Sequence, residues 1–163
     1  MSTPLDKIRE KVLSAGGIAV PEHIMKSLLA KQGIPVPRGT LCRSLEEARG
    51  VAGELGFPVV IKASSERLLH KTEAGGVRVN INSMAMLDAD FVAMNERFAG
   101  GKDPGFQGIL VEQQVAAGTE IIVGFARDDA FGPQLMVGIG GVFTDIFEDV
   151  AFRPLPVSPR DIE

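Results

Sequence analysis

The hydrophobic period changes along this chain, and that change limits the folds open to it. In the first hundred residues most apolar positions recur at helical spacings of three and four. Beyond Gly108 they come in short, glycine-containing, β-branched runs. Helices dominate the first half and strands the second, with an alternation too irregular for a doubly wound parallel sheet. This order predicts an α+β fold.

Leu5, Ile8 and Val12 mark a short first helix before the breaker Gly16-Gly17, and residues 1–20 read as an N-terminal extension. A second helix is expected to open at Pro21, whose fixed φ suits a first turn, and to run through Ile24, Met25, Leu28 and Leu29 to Gly33. Ser44-Leu45-Glu46-Glu47 has the form of a capping box, followed by the stripe Leu45, Ala48, Val51, Ala52 and Leu55 and by Gly56. Leu87, Phe91, Met94 and Phe98 make another helical stripe, ended by Gly100-Gly101. Strands are expected at Val59–Ala63, at Val77–Ile81 with one buried face, and at 108–115, 120–126, 134–139 and 142–151.

Composition narrows the function. Lys+Arg 17 against Asp+Glu 21 gives a net charge of -4, so no basic excess exists to neutralise a nucleic acid or an anionic membrane surface. The single cysteine, Cys42, forms no intrachain disulfide, and one Cys with two separated histidines does not furnish a tetrahedral zinc site. The lone cysteine fits a reducing, cytoplasmic setting; no stretch approaches membrane-spanning length and no targeting signal is visible.

Four features carry potential chemistry. Gly75-Gly76, in the loop Leu69–Val77, allows backbone N–H groups to approach an anion, although a bend or bulge explains the same pair. Lys62 closes an apolar strand, either as a snorkelling edge-strand cation or as a partner for phosphate. Glu112 and Glu120 flank a short linker that offers one backbone edge and two carboxylates, or else belongs to a hairpin with solvated acids. His70 sits in the glycine loop, where a neutral imidazole is a competent nucleophile toward phosphorus and a solvated histidine is the plainer alternative. His23 reads as a solvated helix residue. Gly138-Ile139-Gly140-Gly141 reads as a strand-to-strand turn, since Phe143 stands where a G-x-G-x-x-G pattern needs its last glycine and no helix pattern follows.

Together, Pro58–Ala63, His70-Lys71-Thr72-Glu73-Ala74-Gly75-Gly76-Val77, Leu110–Val115 and Gly118-Thr119-Glu120 resemble the ATP-grasp domain of NDP-forming (ADP-forming) acyl-CoA synthetases, related to the succinyl-CoA synthetase β subunit. Lys31–Pro37, Phe131-Gly132-Pro133 and Asp149–Arg153 extend the resemblance over residues 21 to about 160. It implies an ATP-grasp fold, with the leading helix and small lobe at 21–115 and the start of a large lobe at 116–163. It further implies that Lys62 holds the α/β phosphates of ATP, Gly75 and Gly76 cover them, and Glu112 accepts from the adenine amino group. The backbone of Val115 bonds the adenine ring and Glu120 the ribose. His70 takes the place of a histidine that relays phosphate between nucleotide and a CoA-binding ligase domain.

The expected function is therefore the ATP-binding part of an acid–CoA ligase. ATP/ADP and Mg2+ are the expected cofactors, and CoA and a carboxylic acid are handled by the complete enzyme. The family's magnesium ligands lie in a later Glu-x-Asn-Pro stretch and a following Asp, which this sequence does not contain. The domain is accordingly expected to be C-terminally incomplete and inactive by itself, with metal ligands beyond residue 163. Asp145, Glu148 and Asp149 lie near that region without being assignable to metal. The alternative is a degenerate regulatory module of a protein acetyltransferase, against which the retained Lys62, His70, Glu112 and Glu120 argue.

Overall fold

The computed structural model describes residues 4–14, 16–17, 19–141 and 150–161. They divide into two units, Met1–Val115 and Ala116–Glu163.

The first unit begins with helix α1 (Pro4–Ser14), whose Val12 is buried. The expected contribution of the Leu5 side chain lies outside the described residues. Helix α2 (Glu22–Lys31) starts directly after Pro21 and closes at Gln32, one residue before Gly33 in the left-handed region. None of its side chains is fully buried, so polar contacts fasten it to the body.

Strand β1 (Gly39–Cys42) leads to helix α3 (Leu45–Leu55). Here Ser44 Oγ accepts the Glu47 N–H at 3.2 Å, while the Glu47 carboxylate accepts from Arg43 N–H at 2.7 Å, one residue earlier than the capping box predicts. Ala48 and Ala52 let α3 lie close on the sheet. Strands β2 (Val59–Ser65) and β3 (Val77–Ile81), helix α4 (Met84–Phe98) and strand β4 (Phe106–Gln113) complete the unit.

The sheet is antiparallel, in the order β1-β4-β2-β3. One face supplies Val59, Ile61, Ala63, Ile109 and Val111 to a core completed by Leu87, Phe91, Met94 and Phe98. The alternate residues Val60, Lys62 and Ser64 point to the opposite face, because successive strand side chains alternate. Two sequence expectations change here. Lys62 lies on a central strand, not an edge, so the snorkelling account fails. Strand β3 does not bury one continuous face: a bulge pairs Val77 with Lys62 but Ile81 with Val59, and Asn80 adopts φ 57°. The extra residue switches faces, leaving Val79 56% exposed while Ile81 is buried.

The second unit is an antiparallel sheet of β5 (Ile121–Asp128), β6 (Gly132–Ile139) and β7 (Val150–Pro154), in that order. Asp128 Oδ1 accepts the N–H groups of Ala130 and Phe131 and shapes the β5–β6 turn. The hairpin alternative for the Glu112–Glu120 segment fails, because β4 pairs with β1 and β2 while β5 pairs with β6. Of the strand expected at 142–151, residues 142–149 lie outside the described residues, as do Asp145, Glu148 and Asp149. Gly138 and Ile139 end β6 rather than form a turn. Among the described residues no helix is long and apolar enough to cross a membrane.

Candidate functional site

Strands β2 and β4 run side by side, and the face opposite the core carries Lys62 and Glu112. Their side chains meet at 2.5 Å, Lys62 Nζ donating to Glu112 Oε1. Gly39, opposite Glu112 on β1, leaves the carboxylate its room: a Cβ there would stand 2.5 Å from Glu112 Cβ and 2.7 Å from Val111 O.

Helix α2 closes over this pair. Lys26 Nζ donates to Glu112 Oε2 at 2.6 Å and to Glu22 Oε1 at 2.7 Å, and Lys62 Nζ donates to the same Glu22 oxygen at 2.9 Å. The four side chains thus form a ring of alternating charge, Glu22–Lys26–Glu112–Lys62. Lys71 Nζ extends the ring by donating to Glu22 Oε2 at 3.2 Å. Glu112 is only 3% exposed, so its charge is tolerable because each of its oxygens faces an ammonium group. Burial alone raises the Glu22 pKa, but the hydrogen bonds from Lys26 and Lys62 outweigh it and hold the group at about 2. Burial likewise disfavours the Lys62 cation, yet Glu112 and Glu22 raise its pKa on balance.

His23, expected in solvent, is half-buried with its Nδ1 2.9 Å from Ser64 Oγ on β2. Burial, with help from the charges of Lys71 and Arg43, lowers its pKa. A recess of about 240 Å³ lies between α2 and the sheet, bounded by His23, Lys26, Gly39 and Glu112.

The loop joining β2 to β3 carries His70, whose side chain is 77% exposed, with Nδ1 3.8 Å from Glu73 Oε1. Gly75 adopts φ 71°, and its N–H donates to Thr72 O at 3.0 Å. The Gly76 N–H donates to Lys71 O at 2.7 Å. Both glycine donors are therefore engaged inside the loop. Gly76 also permits a close approach, since a Cβ there would meet Lys71 O at 3.1 Å, the Ala63 Cβ at 3.2 Å and Phe98 Cζ at 3.3 Å. Val115 lies exposed beyond the end of β4. Glu120 belongs to the second unit, where its carbonyl accepts Gly140 N–H at 2.8 Å beside β5.

Of the sequence candidates, the first unit brings Lys62 and Glu112 into direct contact and puts His70 one residue from the ring through Lys71. Sequence reasoning missed Glu22, Lys26 and Lys71. The four-residue spacing of Glu22 and Lys26 was visible as a helical ion pair, but a helix sequence alone does not reveal which face meets a strand. Among the described residues no group of three or more His, Cys, Asp or Glu side chains converges to hold a metal ion.

A four-stranded antiparallel sheet with two helices against its core face, a lysine–glutamate pair beneath α2 on the other face and a histidine-bearing glycine loop between strands defines an α+β protein. Residues 11–163 match the family model of the ATP-grasp domain, and the chain belongs to that family. It is 36% identical over 156 residues to the β subunit of acetate–CoA ligase [ADP-forming] II of Pyrococcus furiosus, a match covering 95% of this chain and 66% of that subunit. The dinucleotide-forming acetyl-coenzyme A synthetase 1 of Ca. Korarchaeum cryptofilum, solved with coenzyme A, Ca-AMPCP and HgCl+, superposes with a TM-score of 0.82 at 38% identity, covering 95% of this chain and 68% of that one. A selenomethionine form of the same enzyme holds coenzyme A and Mg-AMPPCP, with its phosphohistidine segment pointing towards the nucleotide binding site. That structure has a TM-score of 0.73 at 35% identity and covers 95% of this chain and 66% of that one. The fold class and family expected from sequence are borne out.

Proposed function

We propose that this chain is the ATP-binding part of an ADP-forming acid–CoA ligase and that His70 relays the phosphoryl group. The observation that carries the reading is His70 itself: an exposed imidazole on a loop whose next residue, Lys71, is ion-paired into the Lys62–Glu112 ring. The relative with a phosphohistidine segment directed at its nucleotide site supports the same chemistry. An imidazole nitrogen attacks the γ-phosphorus of ATP, the bond to the β-phosphate oxygen breaks, and ADP leaves. The phosphoryl group then passes to a CoA-binding partner domain or subunit, where the carboxylate oxygen of the acid takes it to form an acyl phosphate; the CoA thiol attacks the acyl carbon, the bond to the phosphate oxygen breaks, and acyl-CoA and phosphate result.

In this reading 21–115 is the leading helix and small lobe, and 116–163 the start of the large lobe. Lys62 holds the α/β phosphates, Glu112 accepts from the adenine amino group, the Val115 backbone bonds the ring, and Glu120 binds the ribose. Gly75 and Gly76 cover the phosphates once their N–H groups leave their acceptors within the loop. Glu112 reaches adenine when nucleotide competes with its lysine partners. When bound, Mg2+ would supply neutralisation of the charge on the transferring phosphoryl group. Among the described residues no cluster of carboxylates or imidazoles converges to hold it. The setting is cytoplasmic.

The test uses the assembled enzyme with CoA, a carboxylic acid and Mg-ATP. His70→Ala should abolish acyl-CoA formation and leave ATP affinity within about twofold of wild type. Unchanged turnover removes His70 from the mechanism.

A further inference from the structure

The Glu22 carboxylate is held by three ammonium groups, Lys26 at 2.7 Å, Lys62 at 2.9 Å and Lys71 at 3.2 Å. Oxygen among lysines at these distances is the coordination a phosphoryl oxygen takes. Three cations against the carboxylates of Glu22 and Glu112 leave a net single positive charge, so the ring retains attraction for a further anion. Glu22 is, moreover, the acceptor that the structure gives Lys71. Lys71 follows His70 directly and its side chain is 18% exposed, so it is reachable from solvent.

We propose that Lys71 is a second phosphate-binding cation beside Lys62, and that Glu22 is a resident anion which nucleotide phosphate displaces. The inference rests on the nucleotide reading above and extends it to two residues. A phosphoryl group offers more acceptor oxygens and more charge than one carboxylate, so it competes for both lysines at once. Lys71 then draws the captured group toward the neighbouring imidazole. Released from Lys62 and Lys71, Glu22 keeps its i,i+4 contact with Lys26 and stays paired on its own helix. The exchange therefore strands no carboxylate.

Isothermal titration of the full chain with ATP, ADP and adenosine tests this on wild type, Lys71→Gln, Lys71→Arg and Glu22→Gln, with circular dichroism and melting to establish folding. Lys71→Gln should weaken ATP and ADP about tenfold, equivalent to about 1.4 kcal/mol, while adenosine stays within about twofold and Lys71→Arg restores most of the loss. Glu22→Gln should tighten ATP several-fold without affecting adenosine. Should Glu22→Gln fail to fold, Glu22→Asp, one methylene too short to bridge Lys62 and Lys71, should tighten ATP in the same sense. ATP affinity unchanged in Lys71→Gln, or lost equally for adenosine, overturns the role of Lys71. ATP binding that is unchanged or weakened in a folded Glu22 variant overturns displacement. Wild type that binds none of the three ligands refutes the nucleotide reading itself, and the inference with it.

Discussion

Replacing Lys26 with methionine tests whether the charge ring acts as one unit. Methionine keeps the length and apolar stem of lysine but removes the ammonium that sits 2.6 Å from Glu112 and 2.7 Å from Glu22. Glu112, 3% exposed, is left with Lys62 alone and one buried oxygen unpaired. Breaking a fully buried pair costs about 3–5 kcal/mol, and the remaining Lys62 contact with the partial exposure of Lys26 brings the expectation to about 2–3 kcal/mol. Urea denaturation should show a midpoint lower by roughly 1–2 M. The protein has no Trp or Tyr, so far-ultraviolet circular dichroism should be read alongside hydrogen exchange of the β2 and β4 peptides, which localises the loss to the first unit. Glu112→Gln removes the stranded charge. Combined with Lys26→Met it should recover part of the loss, with a coupling of about 1.5 kcal/mol. A Lys26→Met cost below about 0.5 kcal/mol, or strict additivity with Glu112→Gln, refutes the cooperating ring.

Two further outcomes follow from the same contacts. The Glu22 pKa is about 2 in the folded protein against an ordinary 4.5, so its stabilising contribution is complete above pH 4.5 and disappears as pH falls from there through about 2. The wild-type stability profile should therefore fall by about 1–2 kcal/mol more than that of Glu22→Gln across this window, less than the full shift because solvent reaches the ring, and parallel profiles would show that the lysines do not hold Glu22 ionised. Gly76→Ala places a methyl among Lys71 O, Ala63 and Phe98, all within 3.3 Å, and should cost about 1–2 kcal/mol while loosening the His70 loop in hydrogen exchange. An unchanged melting temperature would mean the loop yields without resistance.

The helices were legible because each announces itself locally. The Ser44 cap, Gly56 and the Leu87–Phe98 stripe lie where short-range hydrogen bonding and a 3.6-residue period put them. The short apolar runs were legible as strands but not as partners. Whether β4 meets β5 or instead lies between β1 and β2 depends on pairings between residues dozens of positions apart, on which local periodicity is silent. The same blindness hid the bulge in β3, where one extra residue at Asn80 moved Val79 off the core face.

For the site the division is sharper. Sequence alone determined the kinds of group available, a lysine in an apolar run, a histidine before two glycines and two spaced carboxylates, and their order identified the ATP-grasp family. Only the tertiary structure decided their state. Lys62 is not a waiting cation but one bound to Glu112 and Glu22, the glycine N–H groups are already engaged within their loop, and Lys71 joins His70 to the ring. Residue type sets what a side chain can donate or accept. Which charge it meets is set by a helix and a strand 40 or 86 residues apart being brought within 3 Å, and no local pattern encodes that distance.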